Sequence, residues 1–300
     1  MKNIIDRLNK IKDSKVKKNV PLKEYTTFNV GGPADIFLIP QNEDSLRELT
    51  KIINKVDKRH FVLGKGSNII VGDKGYRGII IYTGHLNEIS VKGNKILAQS
   101  GATLKDIAEV AKENSLTGFE FASGIPGSLG GAVFMNAGAY GGEMNDVIKE
   151  VSAFDENGHK VVLPKNKLKL SYRNSIFQDN NYIIFDALLK LQKGKKDKII
   201  AKMNELNQKR ENKQPLEYPS AGSSFKRPEG HYTGPLIEKA DMKGYQIGGA
   251  QVSKKHAGFI VNKGNATAKD IVTLIQKIQK EVYKISGVKL KPEPKFLGEF

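Results

Sequence analysis

The sequence contains no cysteine among its 300 residues. This absence excludes disulfides, thiolate nucleophiles, cysteine-ligated zinc and iron–sulfur clusters. The five histidines also lack the H-x-x-x-H spacing and the paired carboxylates of a metal site, so we expect no bound metal. Any chemistry must therefore rely on oxygen and nitrogen groups or on an organic cofactor.

Long apolar runs are absent as well. No stretch approaches the roughly 18 apolar residues of a membrane-spanning helix. Residues 1–20 carry frequent charges where a secretion signal needs an apolar segment. Internal repeats and low-complexity blocks are also missing. These features predict a cytoplasmic protein.

Acidic residues are few relative to basic ones. The chain has 49 Lys and Arg and 32 Asp and Glu, which gives a net charge of +17. This excess makes an anionic partner such as nucleic acid the first candidate. Residues 1–20 hold seven basic and two acidic residues, and residues 190–213 hold nine and three, which we interpret as an exposed N-terminal arm and an interdomain helix. The other 256 residues carry only +6, a surplus that suits steering of small anionic substrates. A nucleic-acid-binding protein stays as the alternative from another functional class, although no stacking motif or recognition helix supports it.

The hydrophobic pattern predicts both helices and strands, which is typical of an α+β fold. Helical spacing predicts helices over 43–56, from Thr103, over 196–210 and from Thr267, with Asp106 and Asp270 completing two N-terminal caps. Strands are predicted over 35–39, 60–63, 69–71, 78–82, 95–99, 149–154, 160–163 and 182–190. The polar stretch 190–198 indicates a boundary between an N-terminal and a C-terminal unit.

Two glycine-rich segments indicate a ligand that approaches the backbone closely. The first places Gly64, Gly66, Ser67 and Asn68 between two short apolar runs, but it lacks the third glycine of a Rossmann fingerprint, and the chain contains no P-loop motif. The second has seven glycines in the nineteen residues 124–142. Together they favour an extended ligand with a pyrophosphate, whose bulk would fill the space. The alternative is a set of tight turns with a buried glycine-rich strand.

Three further residues have two open interpretations each. Ser223 follows a glycine near Lys226 and Arg227, but without a nucleophile elbow a turn hydroxyl is the simpler explanation. Glu293 lies between two prolines that fix the backbone around its carboxylate, which would present that carboxylate for a function. The alternative is that this segment anchors the tail and that the Glu is incidental. His256 lies beside two lysines, as an ordinary surface histidine would.

Seven motifs spread over nearly the whole chain carry a family resemblance: TTFNVGGPAD, LGKGSN, GIPGSLGGAVFMNAGAYGGE, YRNSIF, PSAGSSFKRP, GYQIGGAQVSKKHAGFIVN and PEPKFLG. With these motifs the chain resembles the UDP-N-acetylenolpyruvoylglucosamine reductase family, flavoenzymes of bacterial peptidoglycan synthesis. The resemblance implies an α+β fold with an FAD-binding domain of the vanillyl-alcohol-oxidase/p-cresol methylhydroxylase type, in two subdomains, and an α+β substrate-binding domain. We assign the subdomains to 1–82 and 83–195 and the substrate-binding domain to 196–300, whose C-terminal tail would return to the active site.

The resemblance also implies roles for individual residues. Arg173, Ser223 and Glu293 match the catalytic positions of the family. Substrate contacts are implied for Tyr172, Lys226, Arg227 and His256. FAD contacts are implied for Gly64, Lys65, Gly66, Ser67, Asn68, Gly124, Ile125, Pro126, Gly127, Gly130, Gly131, Asn136, Ala137, Gly138 and Tyr140. The stretch 177–191 is too short for the tyrosine loop of one subclass, so Tyr182 receives no such role, and how the diphosphate is held stays open.

The reaction implied by the resemblance uses FAD and NADPH. Hydride passes from NADPH through the flavin to carbon three of the enolpyruvyl group of UDP-N-acetylglucosamine enolpyruvate, which gives UDP-N-acetylmuramate. Arg173 and a protonated Glu293 would polarise the substrate carboxylate, and Ser223 would deliver a proton to carbon two, aided by Lys226, another cation or a water relay. The expected partner is thus a small molecule, with no nucleic acid and no membrane span, and the expected state is a monomer. The alternative within enzymes is another FAD-dependent oxidase of the same fold.

Overall fold

The structure is a computed structural model that describes residues 2–56 and 59–300, with the side chains of residues 2 and 3 left aside. The chain divides into two compact units, each built from three separate segments. Unit 1 comprises Met1–Lys18, Ile36–Lys65 and Gly78–Lys209, and unit 2 comprises Asn19–Asp35, Gly66–Arg77 and Arg210–Phe300. The sequence predicts three domains, which are defined by what they bind: two subdomains for FAD and one domain for the substrate. This division stays a prediction.

Helices and strands are interspersed along the described residues. The α-helices are α1 (Lys2–Leu8), α2 (Glu43–Ile53), α3 (Leu104–Glu113), α4 (Leu129–Phe134), α5 (Met144–Val147), α6 (Lys196–Lys213), α7 (Thr233–Lys239) and α8 (Ala268–Ser286). The strands are β1 (Ser14–Pro21), β2 (Pro33–Pro40), β3 (His60–Leu63), β4 (Ile69–Val71), β5 (Tyr76–Tyr82), β6 (Ile89–Lys92), β7 (Lys95–Gln99), β8 (Leu116–Thr117), β9 (Gly138–Ala139), β10 (Gly142–Glu143), β11 (Ile148–Phe154), β12 (Lys160–Pro164), β13 (Ile183–Lys190), β14 (Gln192–Lys193), β15 (Gln246–Ile247), β16 (Ala250–Val252), β17 (Ile260–Asn262) and β18 (Lys295–Leu297). Short 3-10 helices lie at Leu22–Tyr25, Glu120–Ala122, Lys165–Lys167 and Ile176–Gln178.

All four predicted helices are present, and both predicted caps are confirmed. The Thr103 hydroxyl accepts the Asp106 amide 3.0 Å away at the start of α3. At the start of α8, Thr267 and Asp270 each accept the other's backbone amide, which satisfies two amides that have no partner within the helix. Helix α6 extends three residues beyond its predicted end at residue 210.

Helix α2 ends three residues before the predicted residue 56. Asn54 occupies its C-cap and donates from Nδ2 to the Thr50 carbonyl at 3.2 Å. The amides of Lys55 and Val56 then bond to carbonyls three residues back, which tightens the chain into a turn. The apolar period continues past this point, whereas the helical hydrogen bonds do not.

Every predicted strand is present. Three have the predicted bounds, and the other five differ by one or two residues at an end. The interpretation of residues 1–20 as an exposed arm is wrong, because α1 places Ile5 and Leu8 in the core and β1 joins a sheet. Basic residues dominate this segment, so its few buried apolar positions give a weak pattern.

Two sheets contain most of the strands before residue 190. One has four strands in the order β1-β2-β5-β3. The other lies in unit 1 and has five strands in the order β12-β11-β13-β7-β6, with every neighbouring pair antiparallel. Its core joins strand residues such as Val151 and Leu189 to Ile107 of α3 and Leu129 of α4.

Unit 2 has its own core between helix α8 and short strands. Strands β15, β16 and β17 form an antiparallel sheet, while β18 pairs in parallel with β4. The core combines Phe28, Ile70, Phe225, Ile237 and Leu274, which come from all three segments of the unit. No helix in the described part of the chain is long and apolar enough to cross a membrane.

Candidate active site

The second glycine-rich segment lies in unit 1 and is only partly open. Its centre forms helix α4, in which Leu129, Ala132 and Val133 are buried. The expectation that a ligand fills this space instead of side chains is therefore wrong for α4. These side chains occupy helical positions i, i+3 and i+4, and that spacing was hidden among the glycines.

Two buried hydroxyls beside this segment provide a test of whether a cofactor fits. The oxygens Ser100 Oγ and Ser128 Oγ are buried and have no hydrogen-bond partner within the described residues. A Cβ placed on Gly64 would lie 2.1 Å from Ser128 Oγ, and one on Gly130 would lie 2.9 Å from the Ser100 Cβ. Leaving a buried polar group unpaired costs about 1–3 kcal/mol, so such groups normally have a partner. A polar ligand such as the pyrophosphate of FAD could supply it, and these residues fit that group.

A tight hairpin ends the glycine-rich segment. Strands β9 and β10 pair Ala139 with Gly142 and leave Tyr140 and Gly141 as the two-residue loop. Both loop residues have positive φ, 54° and 87°, as a type I′ turn requires. The first position of this turn favours Asn, Asp or Gly, so Tyr140 occupies it at a conformational cost, with 43% of its surface exposed.

Asn136 connects the glycine-rich segment to the turn that carries Arg173. Its buried side chain donates from Nδ2 to the Ser171 carbonyl at 3.1 Å and accepts the Asn145 amide at 2.9 Å. The carbonyl of Arg173 in turn accepts a hydrogen bond from Gln178 Nε2 at 3.0 Å. This network within unit 1 brings together Asn136, Tyr172 and Arg173, all of which had been selected from the sequence.

Arg173 has a strained backbone and an aromatic neighbour. Its φ is 55°, in the left-handed region that costs an ordinary residue about 1–2 kcal/mol. Its guanidinium lies 5.2 Å from the centre of the Tyr172 ring, which is largely exposed. Strained residues of this kind concentrate at functional sites.

In unit 2 the segment that carries Ser223 pairs with the segment that carries Glu293, while Ser223 itself forms a bridge with Phe259. The Glu293 amide donates to the Ser224 carbonyl at 3.1 Å, and Phe225 forms a bridge with Pro292. Ser223 is exposed, whereas Ser224 is buried and its hydroxyl accepts the Ile260 amide at 2.8 Å. The turn hydroxyl of this motif is therefore Ser224, which leaves Ser223 at the surface of the segment.

The same backbone arrangement includes the first glycine-rich segment. Asn68 donates from Nδ2 to the Glu293 carbonyl at 3.4 Å, and its own carbonyl accepts the Lys295 amide at 2.9 Å. Lys295 is a residue that the sequence reasoning missed, because nothing in the tail motif distinguishes it from its neighbouring lysines. Burial, followed by the charge of Lys226, lowers the pKa of Lys295. The stretch around Glu293 therefore holds two ammonium groups that influence each other.

His256 supports a turn in unit 2. Its Nδ1 accepts the Gly258 amide at 3.0 Å, which leaves Nε2 to carry the proton of the neutral ring. Burial lowers the pKa of His256, so this neutral form is favoured. A Cβ on Gly234 would lie 3.7 Å from the His256 ring, which places the ring beside α7. The half-buried ring thus differs from the surface histidine of the simpler interpretation.

The remaining residues selected for FAD lie at varied depths. Lys65, Pro126 and Gly131 are exposed, Gly66 is buried, and the following are intermediate: Ser67, Gly124, Ile125, Gly127, Ala137 and Gly138. The amides of Gly127 and Gly130 already donate to the Ile125 and Ser100 carbonyls. Their assignment to FAD stays a prediction. No group of three or more potential metal ligands lies within residues 2–56 and 59–300.

Comparisons with known proteins assign both parts of the chain. Residues 34–163 match a family profile described as an FAD binding domain, and residues 214–297 match the C-terminal domain of UDP-N-acetylenolpyruvoylglucosamine reductase. A relative from Caldanaerobacter subterraneus subsp. tengcongensis with that enzyme name is 50% identical over 99% of this chain and 98% of the relative. One from Clostridium botulinum strain Alaska E43, with the same name, is 51% identical over 97% of this chain and 96% of its own length.

The chain belongs to the UDP-N-acetylenolpyruvoylglucosamine reductase family. The crystal structure of the reductase from Thermus caldophilus superposes with a TM-score of 0.82 at 33% identity, and it covers 95% of this chain and 99% of that one. The predicted fold class is confirmed in its α+β content and in its FAD-binding domain, which is followed by the C-terminal domain of the reductase family. As a member of the reductase family, the protein is an FAD-containing oxidoreductase of peptidoglycan synthesis.

Proposed function

We propose that this protein reduces UDP-N-acetylglucosamine enolpyruvate to UDP-N-acetylmuramate, with NADPH as the reductant. The observation that carries the proposal is the backbone pairing in unit 2 between the segment of Ser223 and the segment of Glu293, which is made through Ser224 and Phe225. Membership of the reductase family over nearly the full chain supports it. The residues that would hold FAD are Gly64, Ser128, Gly130 and their neighbours in unit 1. When bound, FAD supplies the redox chemistry that moves hydride from NADPH to carbon three of the enolpyruvyl group.

Arg173 and Glu293 would hold the substrate carboxylate. Addition of hydride at carbon three leaves negative charge at carbon two, which spreads into the carboxylate as an enolate. The Arg173 guanidinium stabilises that charge by a charge-assisted hydrogen bond, and a protonated Glu293 donates a second hydrogen bond. Strain in the Arg173 backbone and the hydrogen bond from Gln178 to its carbonyl fix the residue before the substrate binds.

Ser223 would donate the proton to carbon two. A serine hydroxyl is a weak acid, so it needs a nearby positive charge to stabilise the alkoxide that forms. Lys226 lies three residues along the chain, and Lys295 is close enough for the charge of Lys226 to affect it. Either ammonium group can serve, because both lie beside the segment that holds Glu293.

The remaining parts of the proposal concern the whole protein. We place the reaction in the cytoplasm and treat the enzyme as a monomer whose partners are small molecules and not nucleic acid. The modest charge outside residues 1–20 and 190–213 supports small anionic partners over nucleic acid.

The sharpest test replaces Ser223 by Ala and follows the two half-reactions separately by flavin absorbance. Flavin reduction by NADPH should keep its normal rate, since Ser223 has no part in it. Flavin reoxidation by the enolpyruvyl substrate should slow by about 10²- to 10⁴-fold, the usual contribution of a general acid. The matched control is Ser90→Ala, an exposed serine on β6, which should change neither rate. Equal slowing of both half-reactions in Ser223→Ala would make Ser223 a structural residue and overturn its role.

A further inference from the structure

Tyr232 is the most exposed large apolar or aromatic side chain among the described residues, at 63%. It occupies the N-cap of helix α7, so its backbone belongs to a fixed element and not to a free loop. Keeping an aromatic ring in water has no advantage for folding, since burial of that surface would stabilise the protein. A single exposed ring is ordinary on a protein surface, so the neighbours of Tyr232 decide whether it marks a binding site.

One face of the Tyr232 ring is already covered. The Arg227 guanidinium carbon lies 4.0 Å from the ring centre, a distance typical of a cation–π contact. The Arg227 Nε also donates to the His231 carbonyl at 3.4 Å, and His231 closes a turn onto the Pro228 carbonyl. The arginine and the turn thus fix the ring orientation, while the residue as a whole stays 63% exposed.

The surroundings of Tyr232 connect it to the proposed substrate site. Arg227 is four residues beyond Ser223 in a segment that is bonded to the tail through the Lys226 amide and the Lys291 carbonyl. On the other side, the His256 ring lies beside Gly234, two residues after Tyr232. The start of α7 therefore lies near Arg227 and His256, for both of which the family resemblance implies substrate contacts.

We propose that Tyr232, with Arg227 against one face, forms the stacking platform for the uracil base of the substrate. The inference rests on the proposed function, because it names the part of the UDP-sugar that this surface takes. A planar base stacks on the open face of the ring, and the fixed guanidinium on the other face holds the ring in place without occupying that face. Tyr232 is thus a specificity-determining residue distant from the hydride and proton transfers.

The test measures binding of UMP to the FAD-loaded protein by calorimetry. Tyr232→Ala should weaken UMP binding about tenfold, in line with the loss of one base–aromatic stack. Tyr232→Phe keeps the ring and should bind UMP within twofold of the wild type. The KM for the UDP-sugar should rise in Tyr232→Ala by a factor similar to that for UMP.

The matched control is Tyr283→Ala, an exposed tyrosine on α8 whose ring has the Lys289 ammonium 5.8 Å from its centre. This variant should bind UMP and turn over like the wild type. Unchanged UMP affinity and KM in Tyr232→Ala would overturn the platform while the proposed function stands, provided that the wild type reduces the UDP-sugar. Equal losses in Tyr232→Ala and Tyr232→Phe would also overturn it, because the hydroxyl and not the ring would then bind. A wild type that neither binds UMP nor reduces the UDP-sugar would reject the proposed function as well.

Discussion

Residues with positive φ include ordinary turn residues and two residues selected for the site. Ten described non-glycine residues have positive φ, and six of them are Asn or Asp, which adopt this conformation readily. Tyr140 and Arg173 are different, since a large side chain gains nothing from left-handed backbone. Both had been selected from motifs, yet the sequence offered no sign of their conformation, which depends on contacts that form only in the folded unit.

Asn136 illustrates a selected residue whose observed contacts are structural. Asn136→Ala should lower the free energy of unfolding by about 2 kcal/mol, since it leaves the Ser171 carbonyl and the Asn145 amide without their partner. It should also slow substrate turnover, because the Arg173 turn loses a support. Urea unfolding measures the first effect and steady-state kinetics the second. Asn87→Ala, at an exposed position, is the control and should leave both unchanged. Normal stability in Asn136→Ala would show that the two hydrogen bonds contribute nothing.

At the level of elements, local signals account for most of what the sequence predicted. The caps at Thr103 and Thr267 operate within one helical turn, so the sequence contains all the information that they need. Most strands had periodic apolar runs. Helix α4 was missed because glycines conceal its apolar face, and β18 was missed because its partner β4 lies far away in sequence.

The candidate site was predictable to a different degree. Motifs indicated Ser223 and Glu293 but not the pairing of their two segments, which are distant in sequence and meet only in the fold. Ser100 carries no signal at all, since an ordinary serine after a strand becomes distinctive only when it is buried beside Gly130. Tyr232 resembles any other tyrosine until its exposure and its arginine neighbour are known.

The β9–β10 hairpin allows stability and cofactor binding to be separated. Tyr140→Asn places the residue that a type I′ turn prefers at a position with φ of 54°, so it should raise the free energy of unfolding of the FAD-free protein by about 0.5–1 kcal/mol. FAD affinity should fall, if the ring contacts the cofactor as predicted. Urea unfolding and fluorescence titration with FAD measure the two effects. Tyr245→Asn, with a similar exposed fraction of 42% but no positive φ, should show neither change. A loss of stability in Tyr140→Asn would contradict the assigned turn strain.

For the whole molecule, the net charge of +17 proved a poor guide to function. Part of it lies in residues 1–20, which form α1 and β1, and another part lies along α6. Lysines on β1 are exposed while Val20 beneath them is buried, as expected for an outer strand of a sheet. Much of the excess positive charge therefore lies on the solvent-facing sides of helices and strands.

One buried carboxyl in the unit 1 sheet should contribute to the response of stability to pH. Burial raises the pKa of Asp186, although Ser152 and the charge of Lys160 oppose the rise. Because the folded pKa exceeds the unfolded one, the native protein binds more protons and loses stability as pH rises from about 4 toward neutrality. Asp186→Asn removes this loss, so its free energy of unfolding should improve relative to the wild type over that range.

Urea unfolding at several pH values measures the difference. Asp179→Asn, at an exposed position, provides the comparison for removing a carboxylate without burial. If the gap between Asp186→Asn and the wild type stayed constant between pH 4 and 7, the carboxyl would not titrate in the folded state as inferred here.

The parallel pairing of β4 with β18 also sets an order of events during synthesis. Ile69, Ile70 and Val71 are all buried in the finished protein, yet their partners follow 226 residues later. At about 5–20 residues per second, a ribosome needs roughly 10–45 s to cover that interval. During this time the three apolar residues of β4 lack their partner strand on the nascent chain, while unit 1 can already fold. Nascent chains of this protein should therefore need chaperone protection around residues 69–71 until β18 has been synthesised, well after the neighbouring strands of unit 1 have found their partners.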